Sequence, residues 1–125
     1  MRGLVLVAHG SRREASNDEV RRITAALAEQ ADRRFEHVGF AFLEILAPTI
    51  GDGIEAALRA GAREVVVLPY FLSAGRHVAE DIPAAVVRTR RSHPDARIRI
   101  APHLGRAPGL TETLLDLADS SSDPL

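Results

Sequence analysis

The sequence predicts a small α/β domain: a four-stranded parallel sheet in the order 2-1-3-4, flanked by helices on both faces, flavodoxin-like in form. Three observations lead there. Apolar strand-like runs alternate strictly with amphipathic helical stretches, the pattern of βαβ units and a parallel sheet. The first and third runs are apolar on both faces, as strands at the centre of a covered sheet must be. The second is short and the fourth alternates, so both suit edges. Finally, His9, Glu44, His77 and His103 each fall at or just past a strand's carboxyl end. Open α/β sheets bind ligands at that edge, so side chains far apart in sequence would converge there.

Leu4 to Ala8 forms the first strand and leads into the turn His9-Gly10-Ser11. A helix is expected from Ser16 to Arg34, with Ser16 and Glu19 in capping-box spacing and Val20, Ile23 and Leu27 on one face. Val38 to Leu43 is the second strand, ending at Glu44. The second helix starts near Pro48, a good first-turn residue, carries Ile50, Ile54 and Leu58 inward, and stops at Gly61. Val65 to Leu68 is the third strand, broken by Pro69. After a loop through Ser73-Ala74-Gly75, a helix runs from Arg76 to Ser92 with Val78, Ile82 and Val86 inward. In the last strand, Arg97 to Ala101, two arginines alternate with Ile98 and Ile100. Pro102 to Pro108 is a loop, and a final helix carries Leu110, Leu114 and Leu117. Residues 1–118 are read as one domain and 119–125 as a flexible tail. His37 and His93 lie away from the strand ends and are expected to be exposed surface residues.

The composition narrows the chemistry. The 125 residues are 46% hydrophobic and 26% charged, with a net charge of −1. That is globular, and it gives no bulk attraction to nucleic acid. No cysteine is present, so disulfides and thiolate ligands are excluded and imidazole and carboxylate remain. All sixteen basic residues are arginine, which excludes a lysine Schiff base and a P-loop lysine. Without such a phosphate-binding motif, no nucleotide is expected. The N-terminal apolar run is too short for a signal peptide and nothing approaches transmembrane length, so a cytoplasmic protein is expected.

Four motifs fall in order along the chain: A-H-G-S-R after the first strand, A-F-L-E after the second, P-Y-F-L-S-A-G-R-H-V-A-E-D-I-P after the third, and A-P-H-L-G after the fourth. In this combination the chain resembles the short form of the class II chelatases, which insert a divalent metal into sirohydrochlorin. The likeness runs from Leu4 to about Leu117, and the first and third motifs are the specific ones. The resemblance implies that His9 and His77 handle the metal (cobalt, iron or nickel, as substrate) and that Glu44 assists. Many relatives are about twice as long, with two fused copies of the unit. One copy alone implies a homodimer whose second chain completes the cavity.

The residues themselves point the same way. Metal insertion into a free-base tetrapyrrole needs an incoming divalent ion and removal of pyrrole N–H protons. Imidazole suits both tasks, because it titrates near neutrality and its neutral form binds borderline metals. Two imidazoles and a carboxylate leave coordination positions open and let the ion pass on. Asp81 lies four residues after His77 on the same helix. It either orients that ring or simply favours the helix start. Ser11, Arg12, Phe71, Leu72, Ser73, Gly75, Arg76 and His103 form the expected substrate-binding set, with Arg13 and Arg106 as further candidates to clamp peripheral carboxylates. A second reading is a non-catalytic metal or tetrapyrrole carrier of the same fold. A third, phosphoryl transfer through His9, is weakened by Ala8 standing where that chemistry wants an arginine.

Overall fold

A computed structural model describes residues 1–121. Strands β1 (Arg2–Ala8), β2 (His37–Phe42), β3 (Glu64–Pro69) and β4 (Arg97–Ile100) alternate with helices α1 (Glu14–Ala31), α2 (Ile50–Arg59), α3 (Ile82–Ser92) and α4 (Leu110–Asp119). The sheet order is β2-β1-β3-β4 and every pairing is parallel. The expected flavodoxin-like order is therefore what forms. A run such as Leu4–Ala8 is buried throughout, because helices lie on both sides of it.

The two faces are covered unequally. On one, Val5, Val7, Val65, Val67 and Ile98 meet Ile50, Ile54 and Ala57 of α2 and Ile82, Ala85 and Val86 of α3. On the other, Leu6, Ala8 and Phe42 pack against Val20 of α1, with Phe40, Leu27 and Leu68 at the margin. Strand β4 alternates as expected. Ile98 is buried toward α3 while Arg97 and Arg99 are exposed.

Several boundaries differ from the sequence reading, each for a local reason. Helix α1 begins at Glu14, two residues before the expected cap, so the Ser16–Glu19 box does not form. The N-cap is Arg13, with no side-chain cap. Its buried face runs Asn17, Val20, Thr24 and Ala31, and Ile23 is exposed. Thr24 is tolerated inside because its hydroxyl donates to the Val20 carbonyl at 2.7 Å. Helix α2 is capped by Thr49 rather than begun by Pro48. Thr49 and Asp52 complete the reciprocal capping box that the first helix lacks.

The helix expected from Arg76 opens instead as a π turn over His77–Asp81 before α3 proper. The cause is Pro83. It has no N–H to offer the Ala79 carbonyl, and its ring crowds that carbonyl. The preceding turn widens, and the Ile82 N–H reaches back to the His77 carbonyl. Val78 is half-buried rather than inward. Asp119 is still helical, and residues 122–125 of the expected tail lie outside the described residues. No helix among the described residues is long and apolar enough to cross a membrane.

Strand β1 is tied to β3 at its amino end by Arg2 Nε, which donates to Glu64 Oε1 at 2.7 Å. That bond, with the nearby charges of Arg2, Arg99 and Arg97, holds the Glu64 carboxyl below its ordinary value. A carboxyl lowered in the folded state adds stability above its unfolded value, and that contribution is lost as pH falls through the folded value. Replacing Glu64→Gln should therefore lower the urea midpoint at pH 7. The gap to the wild type should close progressively below about pH 4.3, as read from denaturation at a series of pH values.

Candidate active site

The carboxyl edge of the sheet gathers the reactive residues. Backbone bonds of the β1–β2 ladder continue past the strands: the Leu43 N–H donates to the Ala8 carbonyl at 2.8 Å and the Glu44 N–H to the His9 carbonyl at 3.1 Å. His9 and Glu44 thus leave the sheet side by side. Gly10 turns the chain there with φ +95°, and any Cβ at that position would run into the Glu44 carbonyl. On β3, the Tyr70 N–H donates to the Val7 carbonyl at 2.8 Å, which brings the Tyr70–His77 loop to the same edge.

Each histidine has its own carboxylate. His9 Nε2 lies 2.8 Å from Glu44 Oε1, and His77 Nδ1 lies 2.8 Å from Asp81 Oδ2. The two imidazoles face each other, with centroids 4.8 Å apart and planes inclined at 37°. Phe71 stands 6.4 Å from His77. All four side chains of the two pairs are 41–53% exposed. Asp81 therefore does orient the His77 ring, and Nε2 of His77 is left without a partner among the described hydrogen bonds. Among the described residues, no group of three or more histidines and carboxylates is already gathered around a metal position.

The other expected residues divide. Phe71, Leu72, Ser73, Gly75 and His77 line one open cleft of about 400 Å³. Ser11 is occupied locally: its hydroxyl accepts from the Arg13 N–H, and its main chain is held by Asn17. Arg76 is exposed and sits 3.7 Å from Glu80. Arg12, Arg13 and Arg106 are exposed. His103 is half-buried at the start of a short 3-10 turn, Leu104–Arg106, and has no contact with the histidine pair among the described interactions. His37 lies at the first residue of β2, at the opposite edge of the sheet. His93 closes α3, 3.9 Å from Glu55. Both are half-buried rather than exposed.

Two contributors were missed in the sequence. Asn17 is 2% exposed, and its amide makes both bonds to Ser11, accepting from the N–H at 3.0 Å and donating to the carbonyl at 2.8 Å. It fixes the loop that follows His9. Its signal was a polar residue three before Val20, on the apolar stripe of α1. Arg88 lines a second cleft of about 510 Å³, which also carries Glu44, Asp81 and Thr49. Its spacing of seven from Asp81 puts both on one face of the helical stretch.

The CbiX family model matches residues 3–121. The chain belongs to the CbiX family. It is 32% identical over 121 residues to the sirohydrochlorin cobaltochelatase of Sulfolobus acidocaldarius, covering 97% of this chain and 93% of that protein. To the enzyme of the same name from Methanopyrus kandleri it is 39% identical over 83 residues, 66% of this chain and 57% of the other. Among solved structures, a cobalamin-biosynthesis CbiX protein from Marinobacter aquaeolei superposes with a TM-score of 0.81 at 27% identity, covering 95% of each chain. The sirohydrochlorin chelatase SirB of Bacillus subtilis in complex with cobalt gives 0.77 at 28% identity, covering 98% of this chain and 56% of that one.

The buried Asn17 amide makes the site geometry testable. Asn17→Ala leaves the Ser11 N–H and carbonyl without their partner, and should cost about 2 kcal/mol of stability by denaturant titration. Asn17→Asp keeps the acceptor but sets a buried carboxylate oxygen against the Ser11 carbonyl and the Glu14 carboxylate, so it should recover none of that loss at pH 7.

Proposed function

We propose that this CbiX-family protein inserts a divalent metal (cobalt, iron or nickel) into sirohydrochlorin, without a nucleotide, at the edge where His9 and His77 face each other. The carrying observation is the pair of imidazoles 4.8 Å apart, each backed by its own carboxylate. Support comes also from the relatives bearing chelatase names, one of them in complex with cobalt.

The two histidines divide the work. With Nδ1 held by Asp81, His77 presents Nε2 to an incoming ion. A carboxylate behind a ligating imidazole fixes its tautomer and raises its basicity. His9 and Glu44 form a proton-accepting pair. As a pyrrole N–H gives up its proton to the imidazole, the Glu44 carboxylate stabilises the cation at 2.8 Å and passes the proton to solvent. Each turnover takes up one divalent ion and releases two protons. Glu44 can also swing onto the metal while His9 is free, giving the loose three-donor set that lets the ion move on. Phe71 and Leu72 offer apolar surface to the macrocycle face. Arg12, Arg76 and Arg88 are the arginines this reading assigns to its peripheral carboxylates.

The clefts are open, and a broad planar macrocycle would be covered on one side only. Ligand sites bury most of their ligand, so a second copy supplies the other wall in this reading, with the histidine edges of both chains facing one cavity.

The test is an absorbance assay of metal insertion with metal-free sirohydrochlorin and cobalt(II), iron(II) or nickel(II) in turn. His9→Ala and His77→Ala should each lower kcat/KM by about 100-fold or more, with circular dichroism unchanged. Glu44→Gln and Asp81→Asn should cost about 10-fold. His37→Ala and His93→Ala, at the far side of the sheet, should match the wild type. Tight binding of metal or macrocycle with no turnover under any metal would assign the protein as a carrier instead.

A further inference from the structure

The fourth motif, A-P-H-L-G at residues 101–105, supplies none of the described contacts of the histidine pair. Its last residue holds the wall of the neighbouring cleft instead. The Gly105 N–H donates to the Phe71 carbonyl at 3.0 Å. Among the described hydrogen bonds, and apart from those of the adjoining π turn to Gly75, this is the one bond that the segment Phe71–Gly75 receives from elsewhere in the fold. The turn that carries the donor is itself fixed to the sheet. The Ala101 N–H donates to the Val67 carbonyl at 2.8 Å, and the Arg106 and Ala107 N–H groups close the 3-10 turn on the His103 and Leu104 carbonyls at 2.9 Å each.

The approach is close enough to require glycine. A Cβ on Gly105 would strike the Leu72 carbonyl oxygen and lie 2.8 Å from its carbon. Gly105 does not have the positive φ of Gly10 and Gly61, so space, and not backbone conformation, excludes a side chain here. The two residues under this clasp differ. Phe71 is held by its own ring, which packs against the core under α2 and α3. Leu72 has no such hold. It is 68% exposed, the most of any large apolar residue described, and lies on the wall of the cleft that Phe71, Val78 and His77 also line. Its main chain, pressed against Gly105, is what sets where its side chain points.

We propose that Gly105 is a positioning residue that fixes Leu72 as an apolar contact for the bound macrocycle. The inference rests on the chelatase reading above and deepens it, by naming a residue that serves the site without touching substrate. A leucine on a free loop would lose its freedom only on binding, whereas one held in place beforehand binds at a smaller entropic cost. A contact to the apolar body of the macrocycle is present equally before and during metal insertion, so it appears in KM rather than in kcat.

The test measures KM and kcat for sirohydrochlorin, the dissociation constant of the metal-free macrocycle by fluorescence quenching, and cobalt(II) affinity by calorimetry. Gly105→Ala should raise KM and the macrocycle dissociation constant by about 10-fold, the loss expected for one leucine contact. Its kcat and its cobalt(II) affinity should stay within about 2-fold of the wild type. Leu72→Ala, a change at an exposed position, should raise the same two constants to a similar degree. The double variant should be no worse than either alone, because both changes remove one contact. A glycine that serves fold stability alone would lower the urea midpoint and leave KM where it was. Unchanged KM in Leu72→Ala, or losses that add in the double variant, would overturn the proposal. A wild type that inserts metal while Leu72→Ala keeps its KM defeats this inference alone. A wild type that neither binds nor metallates sirohydrochlorin defeats the chelatase reading with it.

Discussion

The parallel ladders on either side of β1 govern the rest of the molecule. Ala8 is paired with Phe42 on β2, and Val7 with Pro69 on β3. One residue further on, the chain has no strand left to continue, and three loops must diverge from the same edge. His9, Glu44 and the segment leading to His77 emerge within a few ångströms of one another because of that register. A slip of one residue in either ladder would turn the core side chains of β1 to the wrong face. Burial of Val5, Leu6 and Val7 therefore also fixes the position of the histidine edge. The core and the site are set by the same hydrogen bonds.

Under the proposed function, what leaves that edge suits traffic rather than storage. Each imidazole is steadied by a carboxylate, yet both pairs are roughly half exposed and, among the described residues, no closed set of ligands surrounds a metal position. A half-formed donor set binds an ion less tightly than a tetrahedral cage and leaves room for competing nitrogen ligands. Substrate and product metal positions can then differ little in free energy. A firmly caged ion would make release the slow step.

The strand order and the strand ends were legible because they rest on burial, and burial leaves long apolar runs in the sequence. The His77–Asp81 spacing was legible too, though not which of its two explanations held. Features that depend on one backbone bond were not. Nothing in the pattern around Ser16 distinguished a capping box from a helix already under way at Glu14. The π turn followed from Pro83, whose missing N–H acts one turn upstream of where a proline usually draws notice. Asn17 looked like an ordinary polar residue near a helix start, and only its partner, the Ser11 main chain, gives it meaning. The leucines of α4 read correctly as an amphipathic stripe, but a stripe does not say which surface covers it.

The π turn at His77–Asp81 is a mechanical part. It holds one residue more than an α-helical turn would, and none of its residues is buried. Immediately after it, Ile82, Ala85 and Val86 are locked into the core. Taking up the extra residue would rotate everything upstream by about 100° and advance it by about 1.5 Å, while the packed residues downstream kept their places. The turn is thus a vernier between a fixed bearing and a movable pointer. Insertions or deletions within these five positions would re-aim His77 at no expense to the hydrophobic interior, so the aim of this histidine and the durability of the fold are free to change separately in the course of evolution.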